Sequence, residues 1–408
     1  MFKLLKYNYI NLNYINKMTV KFTLREVEGE LFVNREELVG EMVKTLSDQK
    51  LLMGFALYGP RRIGKSSLLL EVRRRLRERK DIVPVYFSLW ELDQGTIAEF
   101  NKELTARILR EYKPRLGLKQ RVDDLLEYPR RAVHGIITQL KLKAEIREDI
   151  ELLLTYDQEP KQDPGSIKRV FQLAEELAIE TNTRCVLMLD EFPDITELKY
   201  PKKVGERIIK LIRAIHGRQK HTLLCISGSS KATMNMVALS PTSPFYRQFL
   251  IREVKPLQKK YVREIITKNI DWNVTDKAID KIYEFTGGIP YYVQFIGRQL
   301  YMHDRKKTDE HDIENIIEEF LEEEGNILFK RDYEVLSAKE KMIVEAMAIK
   351  DINKPSQIAR MQREPITNVY PFVEKLMEKG VLERKTKGIY CFVDPIFKRW
   401  LKRKNICR

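Results

Sequence analysis

No stretch of the 408-residue chain approaches the ~20 consecutive apolar residues that a helix needs to cross a bilayer, so no membrane partner is expected. Cysteine is scarce: Cys185, Cys225, Cys391 and Cys407 form no C-x-x-C pair and have no histidine pattern near them. Cys185 and Cys225 lie in apolar runs and read as core residues of a protein from a reducing cytoplasm. The histidines, His134, His216, His221, His303 and His311, form no H-E-x-x-H or similar cluster, so no zinc site is expected. The first 17 residues, rich in Asn and Tyr, lack the apolar stretch of a signal peptide. They are expected to be a disordered or artefactual extension, with Met18 available as a start. Internal repeats are absent.

Charge, by contrast, is plentiful. There are 74 Lys/Arg against 59 Asp/Glu, a formal net charge of +15, in a chain that is 43% hydrophobic and 33% charged. This fits a soluble protein of two or three domains with a sizeable core. A cationic surface attracts polyanions through counterion release. Excess Lys/Arg also serves as plain solvated surface, so net charge alone leaves nucleic acid open without selecting it.

From about residue 18 to 255, strand-like runs (Leu51–Tyr58, Ile82–Leu89, Arg184–Leu189, Thr222–Ser227) alternate with helical patterns (Ser66–Arg79, Ile97–Tyr112, Ile167–Glu180, Val204–His216). The alternation predicts an α/β fold, a parallel sheet with helices on both faces. Polar, helix-patterned residues 113–165 form an expected helical insertion. Between 256 and 330 only helices are expected: Tyr261–Ile270, Thr275–Phe285, Pro290–His303 and the acidic Asp309–Glu324. Residues 331–408 form a separate unit. The capping box Ser337-Ala338-Lys339-Glu340 opens a helix through Ala348, and Pro355–Met361 is a second. A third carries Ile366, Val369, Phe372, Val373, Leu376 and Met377 and stops at Gly380. Val381–Lys385 and Ile389–Val393 then flank Thr386-Lys387-Gly388 as a hairpin. Three helices and a hairpin outline a winged helix-turn-helix.

One octapeptide carries chemistry. Gly59-Pro60-Arg61-Arg62-Ile63-Gly64-Lys65-Ser66 is a full G-x-x-x-x-G-K-[ST] match between the apolar run Phe55–Tyr58 and the helix former run that opens at Ser67. Glycines at both ends let backbone N–H groups point at phosphate oxygens, with the positive end of a helix behind them. Lys65 is then expected to reach the β/γ-phosphates and the Ser66 hydroxyl to ligate Mg²⁺. Arg61 and Arg62 lie inside the loop as candidates to add charge near the triphosphate, although such positions usually point outward and solvated arginine is the safer reading. About 125 residues on, Cys185-Val186-Leu187-Met188-Leu189 delivers Asp190 and Glu191 at a strand end. Asp190 is expected in the Mg²⁺ shell, and Glu191 to orient and polarise the attacking water. Ser229, or alternatively Ser227, stands at the tip of the next strand as a contact for the γ-phosphate or lytic water. Arg247 is a candidate for neutralising transition-state charge, in cis or across subunits, and surface pairing is its alternative. No N-K-x-D element for guanine is present, since Lys268-Asn269-Ile270-Asp271 has the wrong order, so ATP is preferred.

Phe32-Val33-Asn34-Arg35-Glu36-Glu37-Leu38, the octapeptide and Leu189-Asp190-Glu191-Phe192-Pro193 together resemble the archaeal ATPase family, in the STAND branch of AAA+-related P-loop NTPases. Ser227-Gly228-Ser229, Ser243–Arg247 and Thr286-Gly287-Gly288-Ile289-Pro290-Tyr291-Tyr292 continue the match in order over about 20–300. The resemblance implies an ASCE-type core, a helical lid, a nucleotide-driven switch and often a C-terminal winged helix. It places 32–38, with Val33, Asn34 and Arg35, near the adenine, and turns Pro290 towards the nucleotide from the lid. Orc/Cdc6-type initiation ATPases are similar in layout; their lid arginine has Arg298 as its nearest counterpart here.

In the C-terminal unit 18 Lys/Arg face 10 Asp/Glu, a net of +8. Arg384, Lys385 and Lys387 at the hairpin tip, with Lys398, Arg399, Lys402, Arg403 and Lys404, are candidate phosphate contacts, and Thr367, Asn368 and Tyr370 candidate base readers. Pro371 implies a kink or a later helix start. Three readings stay open. One is an ATPase switch coupled to DNA binding. The second is a signalling scaffold that oligomerises on ATP and docks a protein through the winged helix. The third is a replication or recombination loader.

Overall fold

The computed structural model describes residues 20–155, 166–200, 202–229, 231–303 and 307–406. The expected extension 1–17, Met18 and Cys407 lie outside them, as does the end of the expected insertion.

Apolar runs buried on both faces become strands of a parallel sheet. In chain order the first strands are β1 Gly54–Tyr58, β2 Ile82–Ser88, β3 Arg184–Asp190, the two-residue pair β4 Lys199–Tyr200 and β5 Lys202–Lys203, β6 Thr222–Gly228 and β7 Phe249–Glu253. Five of them form one all-parallel sheet in the order β2-β3-β6-β1-β7. The sheet therefore inserts β6 between the strand that leads into the octapeptide and the strand that ends in the paired acids. β7 was not foreseen; it is an edge strand whose Arg252 and Glu253 break the apolar run.

Side chains of the sheet alternate between two cores. Val186 and Met188 pack with α1 Glu36–Ser47 and α2 Lys65–Arg77, while Cys185, Leu187 and Leu189 face the opposite side. That far side is covered by α3 Ile97–Leu116, α4 Val122–Glu127, α5 Arg130–Ile137, α6 Ala144–Leu154, α7 Ser166–Glu180 and α8 Arg207–His216. The inserted helices α4 to α6 thus thicken the wall behind the sheet. After β6 comes the short α9 Lys231–Met234.

The segment beyond β7 is helical: α10 Lys259–Asn269, α11 Asp276–Thr286, α12 Pro290–Met302, α13 Glu310–Glu322 and α14 Glu324–Glu334, with a minor parallel pair β8 Asn273–Val274 and β9 Lys307–Thr308. α14 follows α13 almost without a break, across the expected boundary at 330. The turn into α12 needs glycine: Gly288 has φ +74°, and a Cβ there would fall 2.1 Å from the Leu257 carbonyl oxygen. Gly288 O in turn accepts from Leu257 N at 2.8 Å, which ties the turn to the segment leaving the sheet.

The C-terminal unit comprises α15 Ala338–Ile349, α16 Pro355–Gln362, α17 Tyr370–Glu378, the antiparallel hairpin β10 Leu382–Thr386 and β11 Ile389–Phe392, and α18 Pro395–Ile406. The capping box at Ser337 is formed with Glu340. Pro371 has no N–H to donate and is tolerated in the first turn of a helix. Accordingly α17 starts at Tyr370, and Ile366–Asn368 form a separate 3-10 turn. α18 was not foreseen in the Lys/Arg-rich tail. Its Phe397 and Trp400 stack against each other and against Phe329 of α14. One continuous apolar cluster joins α1 and α2, the helical segment and the C-terminal unit.

The chain before α1 is strapped to α2. Val27 N donates to Ser67 Oγ at 3.1 Å, and Gly29 N donates to Glu71 Oε2 at 2.7 Å. Glu71 is 1% exposed and also accepts from Arg74 and Arg75. Burial alone would raise its pKa, but the bonds from Arg74, Gly29 N and Arg75 outweigh it and hold the carboxyl at about 2, below its ordinary 4.5. A depressed carboxylate contributes stability above the unfolded pKa and loses it as pH falls through the folded one. Glu71→Gln should therefore cost about 2 kcal/mol at neutral pH. In urea titrations the gap to the wild type should narrow from about pH 4.5 down to 2 and stay constant above.

Candidate functional site

The octapeptide leaves β1 and enters α2, whose first residue is Lys65. Gly64 (φ +87°) and Arg62 (φ +67°) take left-handed backbone to close the loop. A Cβ on Gly64 would meet the Arg35 guanidinium at 2.9 Å. Lys65 is buried, its Nζ donating to Gly59 O at 3.1 Å and Pro60 O at 3.3 Å and standing 3.5 Å from Glu191 Oε1. Burial lowers its pKa against the opposing pull of Glu191 and Asp190.

Both acids are buried where β3 ends. Asp190 Oδ2 accepts from Tyr86 Oη at 2.9 Å, and Oδ1 accepts from Ser227 Oγ and from Glu191 N at 3.2 Å. Glu191 is left-handed (φ +50°), which swings its side chain towards the loop. Its Oε2 accepts from Ser229 N at 3.0 Å, and burial raises its pKa, with Lys65 opposing. The structure thus brings Lys65, Asp190, Glu191 and the Ser229 amide together. Ser227 is fully buried and spends its hydroxyl on Asp190 and Glu191 N, which removes it as a direct contact for a ligand. Tyr86 was missed; the available signal was one phenol in an otherwise apolar buried strand.

A cavity of about 370 Å³ opens over the loop, lined by Gly64, Lys65, Ser66, Ser67, Arg61, Arg62 and Glu191, by the preceding strap (including Phe32, Val33 and Arg35) and by Leu257, Ile265, Pro290 and Tyr291. Its lining mixes the loop's polar groups with apolar Val33, Leu257, Ile265 and Pro290, a composition suited to a ligand with charged and apolar parts. Of the expected binding set, Gly59, Pro60, Ile63 and Asn34 are absent from this wall. Ile63 is in the core, and the Asn34 side chain accepts from Arg35 N at 2.5 Å to hold the turn. Arg35 does not reach outward. Its guanidinium donates to Ile63 O at 2.5 Å, Gly64 O at 3.1 Å and Lys255 O at 3.1 Å, and burial lowers its pKa to about 10. Arg61 stacks on exposed Trp90 at the rim, whose Nε1 donates to Asp194 Oδ2 at 2.8 Å.

Arg62 overturns the expectation of solvated arginine. Its Nη1 lies 3.1 Å from Tyr292 Oη and 3.4 Å from Asp394 Oδ2, and its guanidinium packs on the rings of Tyr291, Tyr292 and Phe329. Tyr292 also donates to Asp394. Burial weighs against the charge, but Tyr292 and Asp394 outweigh it and raise the pKa. The loop, α12 and the C-terminal unit therefore meet at one cation. A second cavity, of about 420 Å³, lies on that side, between Pro60, Glu191 and Ser229 and the C-terminal Lys379, Gly380 and Asp394.

Arg247 is not brought to its own loop. It is exposed, stacked on Tyr246 and two residues before Phe249, whereas Phe249 pairs with the start of β1 and the loop follows its end. Five residues of strand, ~16 Å, separate the two edges. Arg298 is exposed on α12 and lines neither cavity. Thr367, Asn368, Tyr370, Arg384, Lys385 and Lys387 are exposed on one unit. Of the further candidate phosphate contacts on α18, Lys398 pairs with Asp351, Arg399 with Glu284, Arg403 with Glu318 and Glu322, and Lys404 sits over the Tyr333 and Trp400 rings.

A strand-loop-helix corner facing a strand that ends in two acids, with a further strand between them, defines a P-loop ATPase core. The chain belongs to the family described as an ATPase domain predominantly from Archaea, which matches residues 32–296. Among solved structures it is similar to the Walker-type ATPase PABY2304 of Pyrococcus abyssi, at 20% identity and TM-score 0.69, covering 94% of this chain and 100% of that one. It is also similar to the ORC2 protein of Aeropyrum pernix in its ADPNP–ADP complexes, at 11% identity and TM-score 0.55, over 94% and 98%. These likenesses are of fold. Comparison with curated proteins finds no match. No helix among the described residues is long and apolar enough to cross a membrane.

Arg35 braces the loop from behind through its bonds to the Ile63 and Gly64 carbonyls. Arg35→Leu should remove those bonds, cost about 2–3 kcal/mol in urea unfolding and loosen the loop, seen as faster amide exchange at Ile63 to Lys65.

Proposed function

We propose that this chain is an ATP-binding and hydrolysing switch that couples nucleotide state to a C-terminal winged helix-turn-helix which binds DNA. The carrying observation is the shared cation: Arg62, inside the phosphate-binding loop, is bonded to Asp394 of the C-terminal unit and to Tyr292 of the helical lid. In this reading the triphosphate lies along 59–66, Lys65 moves from the Gly59 and Pro60 carbonyls to the β/γ-phosphates, and the base occupies the apolar end beside Val33 and Pro290. Ser66 and Asp190 offer hydroxyl and carboxylate oxygens on either side of the Tyr86 phenol, a hard donor set that suits Mg²⁺. The ion would neutralise charge on the phosphates. Glu191, released by Lys65 and kept basic enough by burial, orients the attacking water and accepts its proton. The Ser229 amide holds the carboxylate in place meanwhile. A phosphate tail competing with Asp394 for Arg62 is the physical link to the winged helix.

DNA is supported by the hairpin tip. Arg384, Lys385 and Lys387 are exposed and make no ion pair among the described residues, while Lys398, Arg399 and Arg403 of α18 pair with carboxylates of the same chain. A second reading, a nucleotide-dependent homo-oligomer, is favoured by the exposed Arg247 at the far edge of the sheet, which could serve only the site of another copy.

Lys65→Ala should abolish ATP binding by calorimetry, while Glu191→Gln should keep ATP and release phosphate at least ~100-fold more slowly; normal turnover removes Glu191 from its role. Wild-type affinity for duplex DNA should depend on ATP and fall steeply with salt. Replacing Arg384, Lys385 and Lys387 by Ala should lower the log–log salt slope by ~0.9 for each phosphate no longer neutralised. Asp394→Asn should leave DNA binding intact but insensitive to ATP. An unchanged slope would redirect the unit to a protein partner.

A further inference from the structure

Tyr86 has no evident structural need for its hydroxyl. It is 9% exposed in a strand that otherwise buries Val83, Val85 and Phe87, and Phe would fill the same space. A buried phenol is retained where it finds a polar partner. Here the partners are specific. β2 pairs with β3 so that Ser88 lies level with Asp190 and Tyr86 level with Met188. Tyr86 and Ser88 are two apart and share a face, so the long phenol reaches forward to the carboxylate. Its Oη donates to Asp190 Oδ2 at 2.9 Å, on the side where the Ser66 side chain approaches the phenol. Asp190 Oδ1 is meanwhile fixed by Ser227 Oγ and Glu191 N.

We infer that Tyr86 is a positioning residue for the divalent cation that accompanies the nucleotide: its hydroxyl fixes Asp190 Oδ2, so that this oxygen donor is set before the ion arrives. The inference rests on the nucleotide-site reading above. Its role is to preorganise a ligand oxygen, and such outer-shell partners typically change metal affinity about 10–100-fold when removed. Tyr86 itself transfers no proton.

The test uses the full chain, a fluorescent non-hydrolysable ATP analogue, and affinity measured in EDTA and across a Mg²⁺ titration. Tyr86→Phe should bind the analogue in EDTA as the wild type does. The Mg²⁺ concentration giving half of the tightening should rise ~10-fold, and Mn²⁺ binding, followed by its electron-spin signal in the presence of the analogue, should weaken in parallel. Each protein's EDTA arm is its own control, so a general loss of fold moves both arms and cannot imitate the selective shift; equal loss in both arms counts against the inference, as does a Mg²⁺ midpoint within twofold of the wild type. If the wild type binds no analogue in either arm, the nucleotide reading itself fails. If it binds and Mg²⁺ tightens it, only the role of Tyr86 is at stake.

Discussion

Two adjacent carboxylates buried at the end of one strand are the constraint around which this molecule is arranged. Desolvation penalises each charge, and neighbouring like charges penalise one another. The cost is offset by four donors drawn from three segments: Tyr86 from β2, Lys65 from α2, and Ser227 with the following Ser229 amide from the end of β6. These segments can converge only because β6 lies between β1 and β3. Strand order is therefore a requirement of the acid pair. It also divides the labour: Asp190 is held by two hydroxyls and an amide, whereas Glu191 is held by a lysine at one oxygen and the Ser229 amide at the other.

The loop carries a second such division. Lys65 points inward to the acids, Arg61 outward to Trp90, and Arg62 sideways to Tyr292 and Asp394. Three cations within five residues would repel in water, and here each has its own partner. Arg62 is the one whose partner belongs to another part of the chain. Burial raises the pKa of Asp394, with Tyr292 and Arg62 opposing, so its charge depends on keeping those two contacts. Without Arg62 the partly buried Asp394 carboxylate would keep only Tyr292 and the Ile396 and Phe397 amides, which sets this pair apart from a fully exposed one.

What could be read from the residues follows from how locally each feature is encoded. Four strands of the sheet were legible because strands buried on both faces are apolar runs; β7, at the edge with Arg252 and Glu253, was not. The octapeptide and the Asp190-Glu191 pair are local patterns, and the structure brings them to one place. The environments of Arg35 and Arg62 were not legible, because an arginine's neighbours across 220 or 332 residues of sequence leave no local trace. The pairings of the α18 cations were hidden for a related reason. A basic run has the same composition whether it faces phosphates or the Glu284, Glu318 and Glu322 carboxylates of α11 and α13. Pro371 was informative in both respects, since a residue without an N–H fixes where α17 can begin.

Those α18 ion pairs bear on how a signal at the loop would travel. α18 is held to α11 and α13 by Arg399 and Arg403, and to α14 by the Phe329, Phe397 and Trp400 rings. Exposed ion pairs contribute little each, but the aromatic cluster is buried, and close-packed cores transmit displacement rather than absorb it. The C-terminal unit and the helices α11 to α14 thus share one core, which the loop joins through Ile63 and meets again at Arg62. The chain between sheet and helices is pinned at Val254 by Tyr58 O and at Leu257 by Gly288 O. The Arg62 contacts therefore sit where the loop, α12 and the C-terminal unit share one packed core, so that a change at any of the three must be accommodated by the other two.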